Sequence, residues 1–152
     1  MDVAKAACGV VRRCRTSDPF QLCDALGIKL MYLPMEDVRG LFLRLKRRSI
    51  IYLADNLDEY EQRFVCAHEV GHFILHKNVN RLFMETRTYA KTSVYEREAD
   101  RFAVWLLYPE DQALADWIDY TTDQIAACMG VPEDLAQYRM EQIEYPFNLS
   151  IY

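Results

Sequence analysis

His68-Glu69-Val70-Gly71-His72 sits inside one continuous run, Glu61-Gln62-Arg63-Phe64-Val65-Cys66-Ala67-His68-Glu69-Val70-Gly71-His72-Phe73-Ile74-Leu75-His76. It reads as a helix opened by Asn56 or Asp58, with Asn56 and Glu59 at capping-box spacing, and closing near Asn78. Residues four apart on a helix share a face, so the imidazoles of His68 and His72 can aim at a common centre. Neutral imidazole is a good zinc ligand at about 2.0–2.1 Å. Glu69 is placed to reach a water at that centre without ligating, which is the position of a general base. It would accept the water's proton and deliver it to a leaving amine. The competing reading is an amphipathic helix with exposed histidines. Against it, all three histidines of the chain fall here, and Phe64, Val65, Val70, Phe73, Ile74 and Leu75 are apolar enough to bury the helix. Buried histidines need a partner or a metal.

His76 is one turn further on. On a straight helix with a rise of 1.5 Å per residue, positions 68 and 76 lie roughly 12 Å apart, so one tetrahedral ion cannot take all three rings. His76 is expected to be structural or to sit near the mouth of the pocket, and a third ligand must come from elsewhere.

Tyr95-Glu96-Arg97-Glu98-Ala99-Asp100-Arg101-Phe102-Ala103 offers one. Glu96, Asp100 and Ala103 share a helical face, and the small residues among them suit close approach to a second helix. Glu96 would ligate, and Asp100 would accept a proton from the outer nitrogen of a ligand histidine, fixing its tautomer. Glu98 is expected to point away into solvent, with Arg97 and Arg101 as surface partners of neighbouring acids. An alternative stands beside this. Ser93-Val94-Tyr95-Glu96 fits a capping box, in which Glu96 only satisfies a backbone N–H at the start of a helix over 94–107.

The stretch 62–109 resembles the ImmA/IrrE family of zinc metallopeptidases. The matching pieces are Arg63-Phe64, then Ala67-His68-Glu69-Val70-Gly71-His72-Phe73-Ile74-Leu75-His76, then Glu96-Arg97-Glu98-Ala99-Asp100-Arg101-Phe102-Ala103, then Leu106-Leu107-Tyr108-Pro109. The resemblance implies a gluzincin-like peptidase whose ligand glutamate stands four residues before an Asn or Asp, which selects Glu96 over Glu98. It also implies a protein substrate, a helix-turn-helix transcriptional repressor of a phage or mobile element. Departures are small: Val70 where Leu or Ile is commoner, and Tyr108 where Met or Ile is. The oxyanion stabiliser is not singled out; Tyr89, Tyr95 and His76 are the candidates.

Outward from this centre, residues 3–14 read as a helix. A second helix is capped by Asp18, with Pro19 at its first position and Gly27 after its end. Residues 29–33 read as a strand ended by Pro34. From Gly40, Leu41, Leu43 and Leu45 alternate with Phe42 and Arg44, Lys46-Arg47-Arg48-Ser49 turns the chain, and residues 50–53 return as a hairpin. The basic turn reads as a solvated tip, with docking of an acidic partner as the alternative. After Pro109 come short helices over 110–118, 122–129 and 132–143. The expected fold is α+β: a small sheet of about three strands packed on zincin-like active-site helices, with short C-terminal helices.

The whole chain, 1–152, suits one compact domain, and residues 121–143 form a C-terminal helical unit with a helix-turn-helix rhythm. Its second helix would offer Pro132, Glu133 and Asp134 to a duplex, and two acids there repel phosphates. With 18 Lys plus Arg against 23 Asp plus Glu and a net charge of -5, direct nucleic-acid binding is not expected. The five cysteines form no CxxC pair and fit reduced thiols better than a disulfide framework; Cys8 and Cys14 lack a second close pair that would make them metal ligands. No apolar run reaches the ~18–20 residues of a membrane span, and the N-terminus is a poor signal peptide, so a cytoplasmic protein is expected. A zinc-binding regulator that holds a repressor without cutting it keeps the same residues and is the alternative function.

Overall fold

The computed structural model describes residues 1–78 and 89–144, and for 89–93 the backbone alone. Residues 79–88 and 145–152, and the side chain of the oxyanion candidate Tyr89, lie outside the described residues. Helix α1 (Val3–Cys14) starts at Asp2, whose side chain accepts from Lys5 N, and α2 (Pro19–Leu26) at Asp18, whose side chain accepts from Phe20 N at 2.8 Å. Gly27 closes α2 at φ 69°, a left-handed conformation that costs glycine little.

Three strands follow: β1 (Ile28–Leu33), β2 (Gly40–Leu45) and β3 (Arg48–Ala54). They form a mixed sheet in the order β1-β3-β2, with β3 parallel to β1 and antiparallel to β2. Leu45 pairs with Arg48, so the hairpin turn is only Lys46-Arg47, with Lys46 at φ 48°. Arg48 and Ser49, expected in the turn, belong to the strand. A two-residue hairpin needs positive φ, which matches the right-handed twist of the flanking strands.

The leucine alternation of β2 does not mark the face that meets the helix carrying His68 and His72. Gly40 and Phe42 are buried, whereas Leu41 and Leu43 are half-buried and Leu45 is exposed. Phe42 meets Phe73 edge-on at 5.7 Å, and Arg44 donates to the carbonyls of Lys77 and Phe73 while stacking on both phenyl rings. Arg44 thus closes the C-terminal end of the next helix, where cations and donors are favoured.

Helix α3 (Glu59–Leu75) opens with a capping box of Asp58 and Glu61. The anticipated Asn56–Glu59 pair does not form one, because Asn56 lies in the preceding turn and Glu59 is already the first helical residue. Helix α4 (Tyr89–Leu107) runs antiparallel to α3, judged by the pairing of Asp100 with His68 and of Glu98 with His76. It starts at Tyr89 rather than at 94, so Ser93 is inside the helix and the Ser93–Glu96 capping box is not available to occupy Glu96. A 3-10 segment (Asp111–Trp117), α5 (Thr122–Met129) and α6 (Glu133–Glu141) complete the described chain.

The core joins Val3, Ala7 and Val10 of α1 to Ile51 and Leu53 of β3, Val65, Ala67 and Val70 of α3, and Phe102, Ala103 and Leu106 of α4. Phe102 is wholly buried on the α3–α4 seam, and burying such a side chain contributes about 1.5–3 kcal/mol. The helices carrying the candidate site are therefore held by apolar packing independent of the polar groups between them. Cys23 and Cys66 are buried with their sulfurs 3.7 Å apart; that contact and burial push the Cys66 thiol far above its usual pKa. No helix among the described residues is long and apolar enough to cross a membrane. The result is an α+β architecture, as the sequence led one to expect.

Candidate metal centre

The site depends on how closely α3 and α4 approach. A Cβ added to Gly71 would lie 3.2 Å from Ala99 Cα, Ala99 O and Phe102 Cδ1. Gly71 and Ala99 are thus the point of contact, where only small residues fit. Neighbouring residues on a helix are about 100° apart, so Glu98 and Asp100 flank Ala99 symmetrically and Glu96 lies nearer the seam. Three carboxylates of α4 are consequently brought against the three histidines of α3.

Among the described residues, one group of His, Cys, Asp and Glu side chains is close enough to hold an ion: His68, His72 and Glu96, with one ligating atom from each within 4.8 Å of the others. His68 Nε2 is 3.2 Å from Glu96 Oε2, His72 Nε2 is 3.3 Å from Glu96 Oε1, and the two Nε2 atoms are 3.1 Å apart. The structure therefore brings together all three residues singled out as ligands. It also places Asp100 where expected, with Oδ1 2.8 Å from His68 Nδ1. Glu69 is buried beside the same centre, under the first residue of β2; a Cβ on Gly40 would collide with Val65 and come within 3.1 Å of Glu69 Oε1.

A cleft of about 280 Å³ opens over this group. Its walls include His68, Glu69, Glu96 and Asp100 together with Val38, Arg39 and Gly40 from the approach to β2. Arg39 pairs with Glu61 of α3 at 3.0 Å. No local motif marked residues 38–40: they reach the cleft only because β2 lies along α3.

Of the neighbours of this group, Glu98 departs from expectation. His76 is buried, lies outside the group of converging ligating atoms, and contacts His72 through a 2.9 Å approach of their Nδ1 atoms. Glu98 is not turned to solvent. Its Oε2 lies 2.9 Å from His76 Nε2, for the angular reason given above. The guanidinium of Arg101 stacks on the ring of Tyr138 at 4.7 Å. Of the oxyanion candidates, Tyr95 stands edge-on to His76, with 4.8 Å between ring centroids, and neither lines the cleft.

Charges in the metal-free site follow from these contacts. Burial by itself would lower the pKa of His68, but its hydrogen bonds to Asp100 and Glu96 prevail and raise it to about 9. Burial would raise the carboxyl of Glu96, yet the two histidines hold it well below the usual range. Burial lowers His76, with Glu98 opposing. At neutral pH the metal-free cluster therefore holds a proton on His68 between two carboxylates. A cation entering the cluster must displace that proton, because a ligating imidazole is neutral.

Two nitrogens and a carboxylate oxygen, with a buried second carboxylate alongside, form a donor set that suits zinc. Comparison with known proteins places the chain in a family. The chain is 34% identical over 138 residues to the uncharacterized immunity region protein 2 of Bacillus phage phi105, covering 86% of this chain and 84% of the phage protein. It is 28% identical over 139 residues to the metallopeptidase ImmA of Bacillus subtilis (strain 168), covering 88% and 81% of the two. Residues 23–141, which include the sheet, both site helices and the C-terminal helix pair, match the peptidase M78 description, IrrE N-terminal-like domain, and the chain belongs to that family.

Proposed function

We propose that this protein is a zinc-dependent endopeptidase, and that its substrate is a helix-turn-helix transcriptional repressor of a phage or mobile element in the cytoplasm. The observation carrying this reading is the convergence of His68, His72 and Glu96 within 4.8 Å, on the wall of the cleft that Glu69 also lines. The relatives named as an immunity region protein and a metallopeptidase support it.

In this reading His68, His72 and Glu96 would hold the zinc as its three protein ligands. Zinc, when bound, supplies Lewis acidity to water and to a peptide carbonyl. The protein does the rest. Glu69 takes the proton of the attacking water and passes it to the nitrogen of the departing amine, restoring its own carboxylate. Its burial under Gly40 keeps that carboxylate away from bulk solvent and in one position. Asp100 accepts the Nδ1 proton of His68, leaving Nε2 as the ligating lone pair.

Direct DNA binding is disfavoured by the C-terminal helices. Glu133 and Asp134 stand exposed at the start of α6. Arg139, a cation of the same helix, is buried: Nε donates to Tyr108 O, Nη2 to Asp111 Oδ1, and the group stacks on Trp105. Its complete burial withholds it from a phosphate.

Incubating the purified protein with the repressor of its own phage or element, wild type against Glu69→Gln, tests the reading. Wild type is expected to cut the repressor once or a few times, with Glu69→Gln slower by about 10²–10⁴-fold while still holding zinc. Equal cleavage by both defeats the mechanism. Repressor binding by zinc-loaded wild type without any cleavage would favour the non-catalytic regulator.

A further inference from the structure

The two ligand histidines are supported in different ways. When Nε2 of each imidazole ligates, the single proton of the neutral ring must sit on Nδ1. For His68 that proton goes directly to a carboxylate, Asp100, at 2.8 Å. For His72 it points at another imidazole, the Nδ1 of His76, at 2.9 Å. Two Nδ1 atoms can share one hydrogen only if His76 accepts, so His76 must carry its own proton on Nε2. That nitrogen lies 2.9 Å from Glu98 Oε2, an acceptor. Every donor in the chain His72–His76–Glu98 then has an acceptor, and the direction of both bonds is set from the ligand end.

Backbone geometry makes this possible. His76 is the cap residue of α3, at φ -111° and ψ 41°, so it has left helical geometry while its N–H still donates to His72 O. Its ring contacts Tyr95 at 4.8 Å, and its side chain is only 4% exposed. His76 is outside the group of converging ligating atoms and meets it through His72 Nδ1.

We propose that His76 and Glu98 are positioning residues for the metal centre. His76 fixes the tautomer and ring plane of His72, and Glu98 fixes His76, so that carboxylate charge is relayed to the ligand through an imidazole. This rests on the zinc reading above. It predicts that removing the relay weakens zinc binding without removing a ligand, by about 10-fold, the low end for lost outer-shell partners.

The test uses the full chain. Zinc affinity would be measured by competition with a chromophoric chelator at fixed pH for wild type, His76→Leu, His76→Gln and Glu98→Gln. Melting of the metal-free forms would be followed in parallel. Glutamine can accept from His72 through its amide oxygen and donate to Glu98 through its nitrogen, so His76→Gln should retain most of the affinity. His76→Leu should lose about 10-fold and Glu98→Gln a smaller factor. A merely structural His76 would lower the melting temperature in both of its variants and leave zinc affinity unchanged. Histidine side-chain ¹⁵N NMR of zinc-loaded wild type, which needs no variant to fold, should find His76 protonated on Nε2 and His72 on Nδ1. His76 protonated on Nδ1, or wild-type affinity in folded His76→Leu, would overturn the proposal. Failure of wild type to take up zinc would overturn the reading beneath it.

Discussion

The pairs α3–α4 and α5–α6 both place helices in contact, and each carries a glycine, but they use their polar residues in opposite directions. In α3–α4, Gly71 permits close approach, and His68, His72, His76, Glu96, Glu98 and Asp100 converge around the seam. In α5–α6, Gly130 takes φ 67° to end a helix, and the acids Glu133 and Asp134 face solvent. The cation it buries, Arg139, donates through Nε and Nη2 to internal partners. Polar residues converging on a seam between helices make a cluster able to hold an ion. The same residue types turned outward make a solvated surface. Similar helical rhythm therefore says little about function until the direction of the side chains is known.

The most severe break in this contrast is His72→Ala, which removes a ligand. Zinc measured in the purified protein should fall from about one ion per chain to ~0.1 or less, while the apolar α3–α4 seam keeps the chain folded. Next, Arg139→Met should cost about 2–4 kcal/mol of unfolding free energy by urea denaturation, from lost charge-assisted hydrogen bonds and packing on Trp105. Zinc affinity should be unchanged. A parallel loss of zinc would show that the two helix pairs are not independent.

Gly71→Ala is smaller and acts on both properties. With Ala99 backbone atoms only 3.2 Å from the new methyl, the helices must separate slightly, at about 1–3 kcal/mol. Zinc binding should weaken because Glu96 and the imidazoles part together. Calorimetry with and without zinc separates the two effects.

Proton linkage gives a milder and signed effect. His68 in the metal-free fold titrates at about 9 against 6.5 unfolded, so its stabilising contribution is complete below 6.5 and fades as pH rises through 9. Glu96 works in the other direction: its contribution is present above 4.5 and lost on acidification. Metal-free stability from this cluster should decline from pH 6.5 to 9. Over the same window zinc affinity should climb by about tenfold per pH unit, since one proton must leave His68. Isothermal titration in buffers of different ionisation enthalpy would count that proton. The smallest effect is expected from Glu133→Gln with Asp134→Asn, within about 0.5 kcal/mol of wild type and with no change in zinc affinity.

Much of the site was legible because it is local. The spacing of His68 and His72 on a helix follows from 3.6 residues per turn, and the pairing of Glu96 with Asp100 from the same period. Asp18, Gly27 and Gly130 cap helices by short-range chemistry that a linear reading captures. What was misread depended on which residue faces a neighbour. Glu98 lies roughly opposite Glu96 on a helical wheel, yet it is inward because the contact seam runs through Ala99. The leucines of β2 give the stronger alternation, yet Gly40 and Phe42 face α3, because Gly40 alone admits the close approach of Val65 and Glu69.

The chain's order of residues was enough to establish helical period, several caps, the hairpin and the shared face of His68 and His72, since each depends on atoms a few residues apart, whereas Glu96 was selected over Glu98 by the family resemblance. Tertiary structure alone decided the depth of α4 against α3, the burial of His76, and the route from His72 to Glu98. Those depend on where two helices touch, which is set by the volumes of Gly71, Ala99 and Phe102, positions 71 and 99 being 28 apart in sequence.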